Sequence, residues 1–142
     1  MKKFIMKWAA PVMCGLFILL LFKFILFFGY VPSSSMEPAI KAGSFITGHR
    51  IIVDINRGDV LVFKHGNIVV VKRVAAVEGD MIYINQTGTV LSVNEAIPSA
   101  DKILEVPEGC YFMLGDNVEE SLDSRSWEDP YIKREMIIAK LW

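Results

Sequence analysis

The hydrophobic pattern divides the chain into an N-terminal apolar run and a longer segment of short alternating runs. Between residues 8 and 31 the chain contains one charged side chain, Lys23. A helix of about 20 apolar residues spans the hydrocarbon core of a bilayer. The run is longer than the ~7–15 apolar residues of a cleavable secretory signal. We therefore predict a permanent transmembrane helix over residues 8–31, preceded by a short segment over residues 1–7.

The rest of the chain, residues 32–142, is composed of runs rich in β-branched and aromatic residues between turn formers. These runs cover residues 44–55, 59–65, 67–77, 81–85, 89–94, 110–114 and 135–142. The glycine-containing turns at residues 65–67 and 86–88 are typical of β-hairpins. We predict a mainly β fold, in which a small antiparallel sheet domain, coiled or barrel-like, follows one N-terminal transmembrane helix.

The charges are distributed unevenly along the chain. Every charged residue before residue 31 is a lysine, whereas the remainder is mildly acidic. By the positive-inside rule, Lys2, Lys3 and Lys7 hold the N-terminus in the cytoplasm, so residues 32–142 are expected outside it. The net charge of −1 argues against a nucleic-acid partner. We expect a single-pass protein of the plasma membrane, with the lipid bilayer as one partner.

Three serines follow the apolar run directly, in the sequence YVPSSSMEP. If residues 32–36 are extended, Ser33 and Ser35 lie on one face and Ser34 on the other, because side chains alternate along a strand. Pro32 and Pro38 favour such an extended path. Taken alone, a serine-rich segment after an anchor is more typical of a solvated linker. A catalytic interpretation needs a base elsewhere in the chain.

Lys72 is the candidate base. It lies in the run IVVVKRV, which is apolar on both faces and is therefore typical of a central strand. Burial disfavours the ammonium and lowers a lysine pKa from about 10.4, and a neutral lysine can accept a serine proton. An edge strand with Lys72 in water fits the pattern about equally well. His49 and His65 lie at turns or strand ends beside charged residues, and we interpret both as surface residues.

A polar segment, GDNVEESLDSRSWEDP, covers residues 115–130 after an apolar run. A solvated acidic loop is the ordinary interpretation of such a composition. In this segment, however, Ser121, Asp123 and Arg125 alternate along the chain. They can therefore present a hydroxyl and an ion pair on one side of the segment.

Four blocks of the sequence resemble, in order, the motifs of the type I signal peptidases. SSSMEP (residues 33–38) resembles the serine box of that family, and RGDVLVF (57–63) its G-D-hydrophobic strand. KRVAAVEGD (72–80) resembles its lysine box, and GDNVEESLDSR (115–125) its G-D-N-x-x-x-S-x-D-S-R box. Each motif is short, but four in order behind an N-terminal anchor are specific. The resemblance implies a serine–lysine endopeptidase that cleaves signal peptides from exported preproteins.

The resemblance also implies roles for individual residues. Ser35 corresponds to the nucleophile and Lys72 to the general base. Ser33 corresponds to the hydroxyl that, with the backbone N–H of Ser35, forms the oxyanion hole. Ser121 corresponds to the hydroxyl that orients the lysine. No metal and no cofactor is implied.

Further residues are expected to support the site or to contact the substrate. Asp123 and Arg125 correspond to charged residues that brace the site of the family. We expect Arg73, on the strand face opposite Lys72, to pair with Asp116 or Asp123. Substrate contacts are expected at two residues of the serine box, Met36 and Pro38. The partners implied are signal peptides of exported preproteins, and the protein export machinery is a further candidate.

The sequence departs from the family pattern in two places, and other interpretations stay open. Residues 118–120 are Val-Glu-Glu where the family usually has Arg-Asp-Asn, and residues 128–131 also differ. The short stretch 81–114 leaves no room for the accessory domain of some members. Alternatives are a relative of the self-cleaving repressors, a peptidase dedicated to one substrate, and a membrane-tethered β module that binds one partner without catalysis.

Overall fold

The computed structural model describes residues 2–142, with side chains described from residue 8 onward. One helix, α1 (Lys2–Phe24), precedes ten strands in this part of the chain. The strands are β1 (Leu26–Tyr30), β2 (Phe45–His49), β3 (Val60–His65), β4 (Ile68–Val77), β5 (Met81–Ile84), β6 (Val90–Val93), β7 (Lys102–Glu105), β8 (Cys110–Leu114), β9 (Tyr131–Lys133) and β10 (Ile137–Leu141). A single 3₁₀ turn, Arg134–Met136, joins the last two strands.

The strands form two antiparallel sheets. The larger sheet has seven strands in the order β1-β2-β10-β3-β4-β8-β9, and the smaller has three in the order β6-β5-β7. The prediction of a mainly β, antiparallel fold is therefore confirmed. The larger sheet ends at β1 and β9, so its described strands form an open sheet and do not close into a barrel; the expected sheet was coiled or barrel-like.

The predicted helix over residues 8–31 is too long at its C-terminal end. The chain leaves α1 after Phe24, and β1 pairs along its whole length with β2. The ring of Phe28 stacks on that of Phe45 at 5.3 Å between centroids. Aromatic residues favour such a pleated surface, and apolarity alone does not distinguish a helix from a strand. Across the described residues, no helix combines the length and hydropathy needed to cross a bilayer, so the predicted transmembrane helix is not confirmed.

The strand β4 changes its neighbours halfway along its length. It pairs with β3 from Ile68 to Arg73, and with β8 only from Arg73 onward. Residues 68–72 therefore have a partner on one side only. Lys72 stands at the end of this single-sided stretch, and its residue is 3% exposed. The strand is thus an edge along residues 68–72, and yet Lys72 is buried, which combines the two alternatives that the sequence left open.

Apolar side chains are buried in three clusters. One lies between the two sheets, around Ile82 and Phe112. The second packs on β3 and β8 around Phe63 and Met113. The third joins Val31, at the end of β1, to the centre of the larger sheet. The second and third clusters include Val70 and Val71, in the middle of the single-sided stretch of β4.

Asp80, in the turn before β5, ties the smaller sheet to the larger one. Its carboxylate accepts hydrogen bonds from Arg57 Nε at 2.6 Å, from the Val77 N–H at 2.8 Å and from Asn94 Nδ2 at 2.9 Å. Burial raises the pKa of this carboxyl, but the three donors outweigh it, so the pKa lies below its usual range. The buried Asp80 is therefore a charged link between the two sheets.

Replacing Asp80 by asparagine should lower the free energy of unfolding by about 1.5–3 kcal/mol, because hydrogen bonds to a charged group contribute about that much. Urea unfolding of the full chain in mild detergent measures the change. Asp54→Asn is the control, since Asp54 is exposed and takes part in no ion pair of the described residues. Equal stability of the two variants would contradict the link.

Candidate active site

The serine loop, residues 31–44, brings Ser33 and Ser35 together by a different route from the one predicted. The segment consists of bends and turns, not of an extended strand. The hydroxyl oxygens of Ser33 and Ser35 nevertheless lie 3.3 Å apart. The hydroxyl of Ser34 points elsewhere and donates to Oε2 of Glu120. The expected division of the three serines is therefore found, although its expected cause is not.

A second loop, residues 115–130, clamps the serine loop from the other side. The backbone N–H of Asn117 donates to the carbonyl of Ser35 at 3.1 Å, and Asn117 Nδ2 donates to the carbonyl of Ser34 at 3.3 Å. Glycine is required at residue 115, because a Cβ there would lie 2.5 Å from the Ser35 carbonyl oxygen and 2.1 Å from Ser121 Oγ. The two loops therefore lie so close together that any side chain at residue 115 would overlap with Ser35 and Ser121.

Lys72 reaches this junction from β4. Its Nζ donates a hydrogen bond to Ser121 Oγ at 2.9 Å. Burial is the largest effect on its pKa and lowers it, and the charge of Arg125 lowers it further, while Asp123 and Asp116 oppose the change. The net pKa lies below that of an ordinary lysine. Among the described hydrogen bonds, Lys72 contacts Ser121 and not Ser35.

Asp123 holds Ser121 in place. The Ser121 hydroxyl donates to Asp123 Oδ2 at 2.7 Å, and the Gly115 N–H donates to the same oxygen at 2.9 Å. Arg125 binds both carboxylate oxygens, with Nε and Nη2 each at 2.8 Å. Burial raises the Asp123 pKa, but these donors together bring it below its usual range. Asp123 is fully buried and remains charged at neutral pH.

Arg73 forms a second bidentate ion pair on the neighbouring position of β4. Its Nε and Nη2 donate to the two carboxylate oxygens of Asp116 at 2.8 and 2.6 Å, and its Nη1 donates to the Gly58 carbonyl at 2.8 Å. The hydrogen bond to Asp116 raises the Arg73 pKa. Of the two partners expected for Arg73, the structure shows Asp116. The pair anchors the start of the 115–130 loop to β4.

These groups open onto one cleft of about 710 Å³. Ser33, Ser35 and Lys72 line it together with the single-sided stretch of β4. Met36 also lines it and is completely buried. Pro38 is exposed and is not among the lining residues, so the expected substrate contact at Pro38 has no support in this geometry. The turn that follows Met36 directs Pro38 away from the cleft.

Sequence reasoning missed several cleft residues. His65 was interpreted as a surface residue, but it lines the cleft and its ring stacks on that of Trp127 at 3.9 Å between centroids. Glu120 and Leu122 line the cleft on either side of Ser121. The one available signal was a tryptophan within an otherwise polar, acidic segment, because such a large apolar side chain seldom stays in water without a contact.

Comparison with known proteins identifies the family. A profile of the family described as "Signal peptidase, peptidase S26" matches residues 5–142. The chain belongs to this family. Signal peptidase I of Pseudomonas aeruginosa is 29% identical over 75% of this chain and 57% of its own length. Signal peptidase I S of Bacillus subtilis is 26% identical over 95% of this chain and 86% of its own length.

The signal peptidase family also accounts for the fold. A crystal structure of a signal peptidase I from Enterococcus faecalis aligns with a TM-score of 0.50 and 23% identity, over 64% of this chain and 99% of that one. The resemblance deduced from the four motifs is thereby confirmed at the level of family and fold. The chain spans little more than half the length of the Pseudomonas relative, 57%.

Replacing Asp123 by asparagine should lower the free energy of unfolding by about 3–5 kcal/mol at pH 7, because it leaves Arg125 without its buried partner. The folded-state pKa of Asp123 is depressed, so its contribution is complete above the unfolded pKa of ~3.9. That contribution is lost as the pH falls from there through the folded pKa. Urea unfolding between pH 2 and pH 7 should show the difference from wild type shrinking only below about pH 4.

Glu119→Gln is the control for this series, since Glu119 is an exposed carboxyl of the same loop. It should follow the wild-type curve at every pH. A difference between Asp123→Asn and wild type that stays constant down to pH 2 would show that the charge of Asp123 does not stabilise the fold.

Proposed function

We propose that the chain is a membrane-anchored serine endopeptidase that removes N-terminal signal peptides from exported preproteins, with Ser35 as nucleophile and Lys72 as general base. The observation that carries the proposal is a buried lysine of lowered pKa that opens onto the same cleft as two adjacent serine hydroxyls. Membership of the signal peptidase family supports the choice of reaction.

The proposed reaction proceeds through an acyl-enzyme. The Ser35 oxygen bonds to the scissile carbonyl carbon while Lys72 Nζ takes the hydroxyl proton. The oxyanion accepts hydrogen bonds from the Ser33 hydroxyl and the Ser35 N–H, and each such donor contributes ~2.7–4 kcal/mol in the transition state. The Lys72 ammonium then protonates the leaving amine as the C–N bond breaks. Water, deprotonated by Lys72, releases the acyl group and restores Ser35.

Two contacts in the structure support this assignment of roles. The hydrogen bond from Lys72 to Ser121, which Asp123 fixes in turn, limits the rotation of the lysine side chain. The contact between the Ser33 and Ser35 hydroxyls places the proposed oxyanion donor next to the proposed nucleophile. Ser35 and Lys72 are not hydrogen-bonded to each other, but catalytic hydrogen bonds commonly tighten only when substrate is bound.

The single-sided stretch of β4 suggests how the substrate lies. Residues 68–72 line the cleft and lack a strand on one side. An extended peptide can add to such an edge through main-chain hydrogen bonds. The cut would then fall beside Lys72, at the end of the stretch. As in the family that the motifs resemble, small side chains are expected at the first and third positions before the cut.

A membrane location is part of the proposal. Most large side chains described in α1 are apolar and exposed, including Leu16, Phe17 and Leu19. Exposed aromatic rings continue this surface into the sheet, where Phe28 and Tyr30 pack on Phe45. We infer that α1 anchors the chain in the plasma membrane with its lysine-rich start in the cytoplasm. The sheets and the cleft then lie outside, where exported preproteins emerge from the export machinery.

Ser35→Ala and Lys72→Met should each lower kcat/KM for a preprotein by about a thousandfold or more, because removing one member of a catalytic unit disables the whole unit. Cleavage of a purified preprotein by the full chain in detergent measures the effect. Ser34→Ala is the matched control, since its hydroxyl points to Glu120 and away from Ser35. It should retain cleavage within a few-fold.

Full cleavage by Ser35→Ala or Lys72→Met would contradict the proposed catalytic roles of Ser35 and Lys72. If, in addition, both variants still supported the function of the chain in cells, the alternative of a non-catalytic membrane-tethered β module would be favoured.

The pH dependence of cleavage provides a separate test of the base. Lys72 must be neutral to accept the Ser35 proton, so kcat/KM rises with pH through the Lys72 pKa. Since that pKa is lowered by burial, the rise should be centred below the ~10.4 of a free lysine. Initial rates between pH 5 and pH 11 locate the midpoint. A midpoint at the free-lysine value would contradict a buried base.

A further inference from the structure

Glu120 occupies an unusual position in the candidate site. Its Oε2 accepts a hydrogen bond from the hydroxyl of Ser34, which is next to Ser35 in the chain. Glu120 itself precedes Ser121, the residue that holds Lys72. Its side chain therefore contacts the neighbour of Ser35, and its backbone adjoins the hydrogen-bond partner of Lys72. It also lines the cleft.

Glu120 gives this part of the cleft a negative charge. It is the one carboxylate among the described lining residues, most of which are apolar. It takes part in none of the ion pairs between described residues. Its other carboxylate oxygen, Oε1, accepts no hydrogen bond from the described residues. The neighbouring Glu119 is exposed and does not line the cleft. A peptide bound in the cleft would therefore lie near Glu120 and not near Glu119.

The alternation of an extended peptide indicates which of its side chains meet Glu120. Side chains along a strand point to opposite faces in turn. If the first and third residues before the cut point into the cleft, the second residue before the cut and the first after it point to the cleft mouth. Glu120 is exposed and lies at that mouth. Both substrate positions lie within two residues of the scissile bond, and Glu120 lies against Ser34 and next to Ser121, beside the proposed pair.

We propose that Glu120 is a specificity-determining residue that favours substrates with a lysine or arginine at the mouth-facing positions beside the scissile bond, and disfavours glutamate or aspartate there. The proposal rests on the peptidase function proposed above. It concerns the choice among substrates and not the chemical step. Glu120 acts by Coulomb attraction through its side chain, and by repulsion of like charge.

The test uses two sets of peptide substrates that differ only in one residue. In one set the second position before the cut is lysine, glutamine or glutamate, and in the other set the first position after the cut is varied in the same way. In at least one set, wild type should cleave the lysine peptide with a kcat/KM about tenfold higher than that of the glutamate peptide. This ratio combines the attraction between Glu120 and lysine with the repulsion between Glu120 and glutamate, both partly exposed to solvent. This ratio should shrink at 1 M NaCl, where screening acts within ~3 Å.

Three variants separate Glu120 from a general effect of charge. Glu120→Gln keeps an acceptor for Ser34 and should bring the lysine-to-glutamate ratio close to one. Glu120→Lys should invert the ratio. Glu119→Gln removes the same charge one residue away and should leave the ratio unchanged. Equal cleavage of the three peptides of each set by wild type, or an equal loss of selectivity in Glu119→Gln and Glu120→Gln, would overturn the proposal.

A binding measurement distinguishes failure of this inference from failure of the peptidase function. Fluorescence anisotropy with labelled peptides gives their Kd for Ser35→Ala and for the double variant Ser35→Ala/Glu120→Gln. Tighter binding of the lysine peptide to the first variant alone supports the role of Glu120, even if wild type cleaves no peptide. Cleavage by wild type without any preference, in rate or in binding, sinks the role of Glu120 and leaves the peptidase function standing. Absence of both cleavage by wild type and binding by the Ser35→Ala variant, for all peptides, overturns both.

Discussion

The carboxylate of Asp123 is completely buried and yet charged, and the candidate site is built around that constraint. A buried carboxylate is stable only when donors surround it, and here they come from Arg125, Ser121 and the Gly115 N–H. Each donor is thereby fixed as well. The loop that supplies them also contacts the serine loop and Lys72. A single desolvated charge thus determines where three segments of the chain meet.

The same arrangement resolves two conflicting demands on Lys72. Burial lowers the Lys72 pKa, which suits a base, but the charge of Asp123 acts in the opposite direction. Arg125 pairs with Asp123 through two hydrogen bonds, and its own charge lowers the Lys72 pKa. The ion pair therefore presents little net charge to the lysine. Burial then remains the largest effect, while Ser121 still receives an anchored acceptor.

Sequence patterns predicted which residues come together in the site better than the backbone conformation that positions them. The apolar run around Lys72 predicted a strand with Lys72 either buried or at an exposed edge, and in β4 Lys72 is buried although residues 68–72 form an edge. The pairing of Ser33 with Ser35 was expected from strand alternation, yet turns produce it. Local periodicity cannot distinguish these routes to one contact. The end of α1 was misplaced, because an apolar run can pair with another strand as readily as it can enter a bilayer. The roles of the side chains stay predictions until activity is measured.

Residues whose contacts depend on the tertiary fold could not be predicted from sequence patterns. His65 and Trp127 are far apart in the sequence, and only the fold stacks their rings. The requirement for glycine at residue 115 likewise depends on the position of Ser35, a residue from another loop. Arg73 had two acidic candidates in the same segment, and the choice of Asp116 depends on how that loop leaves β8. Such contacts are set by packing, which a single sequence does not display.

The strand order has a consequence for when the site can exist. β10, the tenth strand along the chain, lies between β2 and β3. The hairpin of β1 and β2 encloses the serine loop, and β3 adjoins the strand that carries Lys72. Within the sheet, the two halves of the site are joined only through residues 137–141. Such non-local pairing is slow to form. Before residues 137–141 have been added, the serines and the lysine therefore lie on parts of the sheet that are not yet paired with each other. Until then the loop of residues 115–130 is their one described hydrogen-bonded link, through Asn117 on the serine side and Ser121 on the lysine side.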